Sequence, residues 1–242
     1  MRFIGLSLLG TLLLLFSSLS FGALTIPTGL NDNDQLTILQ TIGFATSFRP
    51  IDPPYPLGLY SGVEIGISIE EIPTGDLGYL GTGASVEKSL VYPKFSIGKG
   101  LFESLDLFFS FAPYTQGISL GVYSGALRWA FYQATFVPAT FSLLISGSST
   151  NLDNIFFAQT EEADIITGVN ADPFSFYIGA GTLYGQGQYD QTITIESAAT
   201  NQVARAFHTL LGATLTVNQI FAAVELDNYA TTTFSFKLGW RL

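Results

Sequence analysis

Cysteine is absent from the 242-residue sequence, histidine and methionine occur once each, and only 12% of the residues are charged, against the ~25% usual in a soluble domain. The lack of cysteine excludes a disulfide framework and thiolate metal sites. A single histidine, His208, leaves one place on which an activated nucleophile or water could be built. No nucleophile elbow accompanies it, so no catalytic residue and no enzymatic activity are expected. Basic residues are few, 9 against 19 acidic, and the net charge is −10. That excludes a nucleic-acid partner, which needs a basic face. The glycine-rich pieces Gly179-Ala180-Gly181 and Gly185-Gln186-Gly187 lack the spacing of a phosphate loop. No acidic or histidine cluster is specific enough to name a metal site, and no cofactor is expected. Beyond the N-terminal leader no unbroken apolar run of spanning length occurs, so transmembrane helices are excluded.

What is present is apolar: 48% hydrophobic and 14% aromatic residues with 25 glycines. Such a chain aggregates in water unless its apolar surface faces lipid. Without spanning helices, lipid exposure requires a closed barrel of strands. The N-terminus agrees with export. Met1-Arg2 supplies a positive start, Phe3 to Phe16 an apolar core, and Ser17 to Ala23 a small-residue exit. Residues 1–22 therefore read as a signal peptide, whose loss takes the net charge from −10 to about −11. Residues 23–56 hold the polar run Asn31-Asp32-Asn33-Asp34 and the proline-rich Arg49 to Pro56, and read as a non-barrel segment, periplasmic or inserted in the lumen as a plug. Within it Gln35–Phe48 alternates like a strand but also suits a short helix capped by Asp34 and stopped by Gly43.

Residues 57–242 divide into ten segments of alternating character: Leu57–Glu70, Tyr92–Gly100, Glu103–Ala112, Gly117–Tyr132, Ala139–Ser148, Phe157–Val169, Phe174–Tyr184, Arg205–Val217, Ile220–Asp227 and Thr231–Leu242. In the fourth the apolar phase slips, so that Arg128 faces lipid unless a bulge at Ser124-Gly125 resets the register. Connections after residues 100, 132, 169 and 217 are short; those after 70, 148 and 184 are long. Short turns on one side and long loops on the other are the pattern of transmembrane barrels. The fold class is therefore all-β, an antiparallel up-and-down transmembrane barrel of about ten strands. Twelve follow if the N-terminal segment spans and Gly81–Leu90 hides another. Tyr92, Phe102, Tyr114, Phe131, Tyr132, Phe174, Tyr184, Tyr229 and Trp240, near strand ends, fit interfacial girdles.

The last strand carries Phe234, Phe236, Leu238, Trp240 and Leu242 on one face and Lys237 and Arg241 on the other. Ending in an aromatic-x-apolar pair, it resembles the terminal assembly signal of bacterial outer-membrane β-barrels, with leucine where that pattern prefers a final phenylalanine. The run Pro93-Lys94-Phe95 to Lys99-Gly100-Leu101-Phe102 resembles a hairpin of uncharacterised proteobacterial outer-membrane barrels. The resemblance implies a Gram-negative outer-membrane location, lipid and lipopolysaccharide around the wall, the barrel assembly machinery as a partner in biogenesis, and a monomer. The inward phase then receives Glu64, Glu70, Lys94, Asp106, Arg128, Glu162, Asp164, His208, Glu225, Asp227, Lys237 and Arg241. His208 is expected near the external end of its strand. A polar, charged lumen suggests a narrow channel or passive pore. The alternatives are a structural or surface-interaction barrel with a closed lumen, and a hydrophobic-ligand transporter plugged by its N-terminal segment.

Overall fold

A computed structural model describes residues 24–82, 88–114, 119–134 and 136–242. The expected signal peptide, and the sequence-based strand start at Gly117, lie outside these residues. Ten strands follow in chain order: β1 (Val63–Pro73), β2 (Ser89–Phe102), β3 (Leu105–Ala112), β4 (Leu120–Gln133), β5 (Ala139–Leu152), β6 (Phe156–Ala171), β7 (Phe174–Tyr189), β8 (Asn201–Val217), β9 (Ile220–Asn228) and β10 (Thr232–Arg241). Each pairs antiparallel with its sequence neighbours, and β10 pairs back onto β1 with Glu64 opposite Arg241 and Ile67 opposite Leu238. The barrel is thus closed at ten strands, not twelve. Closure satisfies every wall strand on both sides and leaves no open edge.

We call the end with the β2–β3, β4–β5, β6–β7 and β8–β9 connections the turn end, and the opposite end the loop end. The loop end is less uniform than the sequence pattern suggests. Strands β5 and β6 run past the expected boundary at Ser148 and meet in a tight turn at Asp153-Asn154, both at positive φ. Likewise β7 and β8 continue to Tyr189 and from Asn201, so that Gly185-Gln186-Gly187 lies in a strand, not in a loop. Apart from Val203 these extensions are polar outside, which hid them from a search for apolar alternation. Backbone pairing does not require an apolar outer face.

Below the extensions the outer surface is an apolar belt. On β8 it runs from Phe207 through Leu211, 64% and 55% exposed, to Val217. Ten residues of strand are ~33 Å, or about 25 Å of height at the usual tilt, which matches the hydrophobic band of a membrane barrel. Leu211→Arg, near mid-belt, is expected to destabilise the barrel in lipid vesicles by about 2–4 kcal/mol, read from urea unfolding. The same change at exposed Gln188 should shift stability by under about 0.5 kcal/mol. Equal small costs at both sites would count against lipid contact.

Arg128 faces inward without any bulge at Ser124-Gly125. From Val122 the alternation of β4 is regular, with Tyr123, Leu127, Trp129 and Phe131 exposed outside; its register shift with β5 lies between Ala130 and Tyr132. The phase looked broken because Leu120 and Val122 are apolar and yet point inward. What they pack against is the N-terminal segment.

That segment, described from Leu24, forms α1 (Asp32–Ile38), continues in a π-turn over Leu39–Gly43 and then runs irregularly to Pro56. The cap of α1 is Asn31, not Asp34: the Asn31 side chain accepts from the Asn33 and Asp34 amides, and Asp34 accepts from the Asn31 amide in return. The two side chains satisfy orphan donors reciprocally.

Candidate functional site in the barrel lumen

The N-terminal segment, the strap, threads the lumen from one end to the other. At the loop end Leu30 forms a parallel bridge to Thr194, Thr28 bonds Thr82, and Asp32 accepts the Ala199 amide. Nearby Asp190 accepts from the Thr192 hydroxyl and amide, which hold its carboxyl below its ordinary value. Moving inward, Ile38, Leu39, Ile42 and Phe44 are fully buried against Leu120, Val122, Leu152, Phe156 and Leu183 of the wall. Gly185 makes room for the Phe44 ring, and Gly168 for Pro54, whose Cδ lies 2.6 Å from where a Cβ would stand. At the turn end Phe48 and Leu57 join a cluster with Phe108, Leu144, Ile166, Tyr177 and Leu210.

Between these apolar layers the strap meets the charged inner wall. Arg49 lies at the middle, fully buried, with Nη1 3.4 Å from Glu70 Oε2 and 3.0 Å from Ser235 Oγ, and Nε 3.7 Å from Asp227 Oδ2. The Asp227 and Glu70 charges offset the cost of burying the guanidinium. Glu70 also accepts from Lys94 Nζ at 2.9 Å and from the Tyr92 hydroxyl at 2.7 Å, while Lys94 reaches the Ser47 carbonyl.

Nearer the turn end, Arg128 is the hub. It donates to Asp52 at 2.8 Å, to Asp106 at 2.9 Å, and to the carbonyls of Pro53 and Tyr55 at 2.9 and 2.7 Å. Asp106 in turn accepts the Leu57 amide at 3.1 Å. Arg241 bonds both Asp52 and Glu64; Lys237 bonds Glu64 at 2.7 Å and the Pro50 carbonyl at 3.1 Å. Cations this deep need their partners, since an unpaired buried charge costs several kcal/mol. Here the partners are shared between wall and strap, so the two are held as one unit.

The remaining inward residues form a third group. His208 sits in the middle of β8, not near its external end, because that strand starts at Asn201. Its Nδ1 faces Glu162 and Asp164, its Nε2 faces Asp227, and Tyr229 stacks on its ring at 4.1 Å between centroids. Glu225 accepts from the Tyr177 hydroxyl at 2.8 Å. Tyr92 and Tyr229, expected in the girdles, are buried inside instead, at 1% and 8% exposure. Tyr92 follows the inward phase of β2, Tyr229 lies one residue past β9, and both bond polar lumen groups. Phe102, Tyr114, Phe131, Tyr132, Phe174, Tyr184 and Trp240 are exposed. Phe234, Trp240 and Leu242 also lie outside.

Sequence reasoning missed Arg49 and Asp52, which join the strap to two of these groups. They lie in an irregular, proline-rich stretch without periodicity. The available signal was compositional: two charges among the prolines of a segment that has no exposed polar face to hold them.

No protein-family model and no curated protein matches the sequence. Solved structures that resemble it include the N-terminal β-barrel domain of Pseudomonas aeruginosa OprF, at 12% identity over 75% of this chain and 98% of that one, with a TM-score of 0.36. Yersinia pestis Ail, in complex with a heparin analogue, gives 11% identity over 75% and 97%, with a TM-score of 0.33. Acinetobacter baumannii Omp33 gives 8% over 76% and 100%, with a TM-score of 0.34. At TM-scores this low the likenesses add nothing to what the strand pairing and the two faces establish. A closed antiparallel wall, apolar outside and lined by paired charges within, is the fold of a bacterial outer-membrane β-barrel.

Proposed function

We propose that the protein is a surface-facing structural barrel of the Gram-negative outer membrane, closed at rest by its own N-terminal strap. On this reading residues 1–22 are an export signal, the β10 side chains Phe234, Phe236, Leu238, Trp240 and Leu242 guide assembly, and lipid with lipopolysaccharide surrounds the belt. The observation that carries it is the bonding of wall cations to strap carbonyls: Lys94 to Ser47, Lys237 to Pro50, and Arg128 to Pro53 and Tyr55. These bonds fix the strap's backbone across the lumen, where a passive pore needs water. The loop-end face, where the strap is tied to residues 82 and 194, is then the part offered to external partners.

A second reading, a gated channel, is favoured by one further fact. The lining remains charged and polar once the strap is set aside, with Glu64, Asp106 and Lys237 buried inside and Arg241 turned in onto Glu64. Planar-bilayer recording of the refolded protein tests the closed state. The proposal expects a silent membrane, and steady ohmic conductance from the unmodified chain would overturn it.

A further inference from the structure

We propose that Glu162, Asp164 and His208 form a binding site for a divalent transition metal of the zinc class inside the barrel. The three side chains project from β6 and β8 across the intervening β7. Their ligand atoms all lie within 4.8 Å of one another. Gly181 stands between them in register, opposite Asp164 on one side and His208 on the other. A Cβ at that position would overlap Asp164 Oδ1, so the absence of a side chain is what lets carboxylate and imidazole converge.

The second observation is the way the imidazole is held. Nε2 lies 3.2 Å from Asp227 Oδ1, and the Tyr229 ring stacks nearly parallel, at 4°. A carboxylate that accepts a hydrogen bond from Nε2–H leaves the lone pair on Nδ1, the arrangement of metal-bound histidines with an outer carboxylate. Nδ1 then points at two acceptors, Glu162 Oε1 at 2.5 Å and Asp164 Oδ1 at 3.0 Å. Three electron-pair donors converge on one point.

Third, one carboxylate oxygen there lacks a partner. Glu162 and Asp164 are 4% and 1% exposed; Glu162 Oε1 has only the Nδ1 contact, and Asp164 Oδ2 has no hydrogen bond among the described residues. Buried carboxylates in that state are costly unless paired or bound to a metal. A dication balances the two carboxylates, and one nitrogen with two oxygens suits zinc and its neighbours over calcium or magnesium. Three protein ligands leave a further position for water.

The rival is a doubly protonated His208 that donates from Nδ1 to the carboxylates, and it predicts different data. Refolded protein is titrated with zinc chloride in detergent and its metal content measured after gel filtration. About one zinc per chain is expected. Asp227→Asn should weaken binding by about 10–100-fold, and His208→Ala should lose it, with folding checked by the mobility of unboiled samples on gels. Zinc, but not magnesium, should raise the urea midpoint of the unmodified chain, a readout that survives if the variants do not fold. Zinc content no higher than in His208→Ala, an unmoved midpoint, or protons on both ring nitrogens in saturating zinc would each overturn the proposal.

Discussion

Arg128→Met is expected to cost about 3–5 kcal/mol of stability in urea titrations of the vesicle-inserted protein, the range for a buried ion pair left with one partner. Methionine fills much of the volume, so the loss is mainly electrostatic. The substitution strips Asp106 of its cation and removes one of the two arginines at Asp52. It also orphans the carbonyls of Pro53 and Tyr55, which accept from the guanidinium. Arg128→Lys should recover only part of the loss, because a point charge cannot serve two carboxylates and two carbonyls as a planar fork does. Adding Asp106→Asn to Arg128→Met should return stability relative to the single change, since it removes a buried charge that had lost its partner. A cost under about 1 kcal/mol for Arg128→Met, the range of an exposed pair, would mean that the hub is hydrated.

Asp52→Arg should expel the strap and turn a silent protein into a conducting one. The replacement places a third guanidinium beside Arg128 and Arg241, with Lys237 close behind on Glu64. Like charges in a poorly hydrated site repel by several kcal/mol, and the strap is the part free to leave, since it contributes no strand to the wall. The wall keeps its own pairs, Glu64 with Lys237 and Asp106 with Arg128. Unboiled samples should therefore still migrate as folded barrels, with ohmic steps in planar bilayers where the parent chain gives none. A folded, silent Asp52→Arg protein of unchanged stability would show that Asp52 does not hold the strap.

The strands were legible because a wall between lipid and lumen imposes a period of two. Ile65 and Ile67 alternate with Glu64 and Gly66 for that reason. The pattern misled where the lumen itself is apolar. Leu120, Val122, Leu152 and Leu183 belong to the inward phase, but the strap brings hydrocarbon to meet them. By position alone Tyr92 and Tyr229 fit the girdles. Their hydroxyls bond Glu70 and Ser47, groups that a strand-by-strand reading cannot place opposite them. The charged lining was readable residue by residue, but its pairing was not. Within the wall Asp106 pairs with Arg128 and Glu64 with Lys237. Their ionic links to the strap run through Asp52, and Arg49 ties it to Glu70 and Asp227; both lie in a segment whose irregular backbone gives no phase.

The path of that segment is the central claim, and a cysteine-free chain allows a direct test. The Thr46 and Thr150 hydroxyls are 2.7 Å apart, one on the strap and one on the inner face of β5, and both are buried. The pair Thr46→Cys and Thr150→Cys is expected to form a disulfide on mild oxidation of the folded protein, seen as a linked peptide by mass spectrometry. Each single variant, and the pair unfolded in urea, should give none. A folded double variant that stays fully reduced, with both thiols open to a water-soluble maleimide, would contradict a strap-filled lumen.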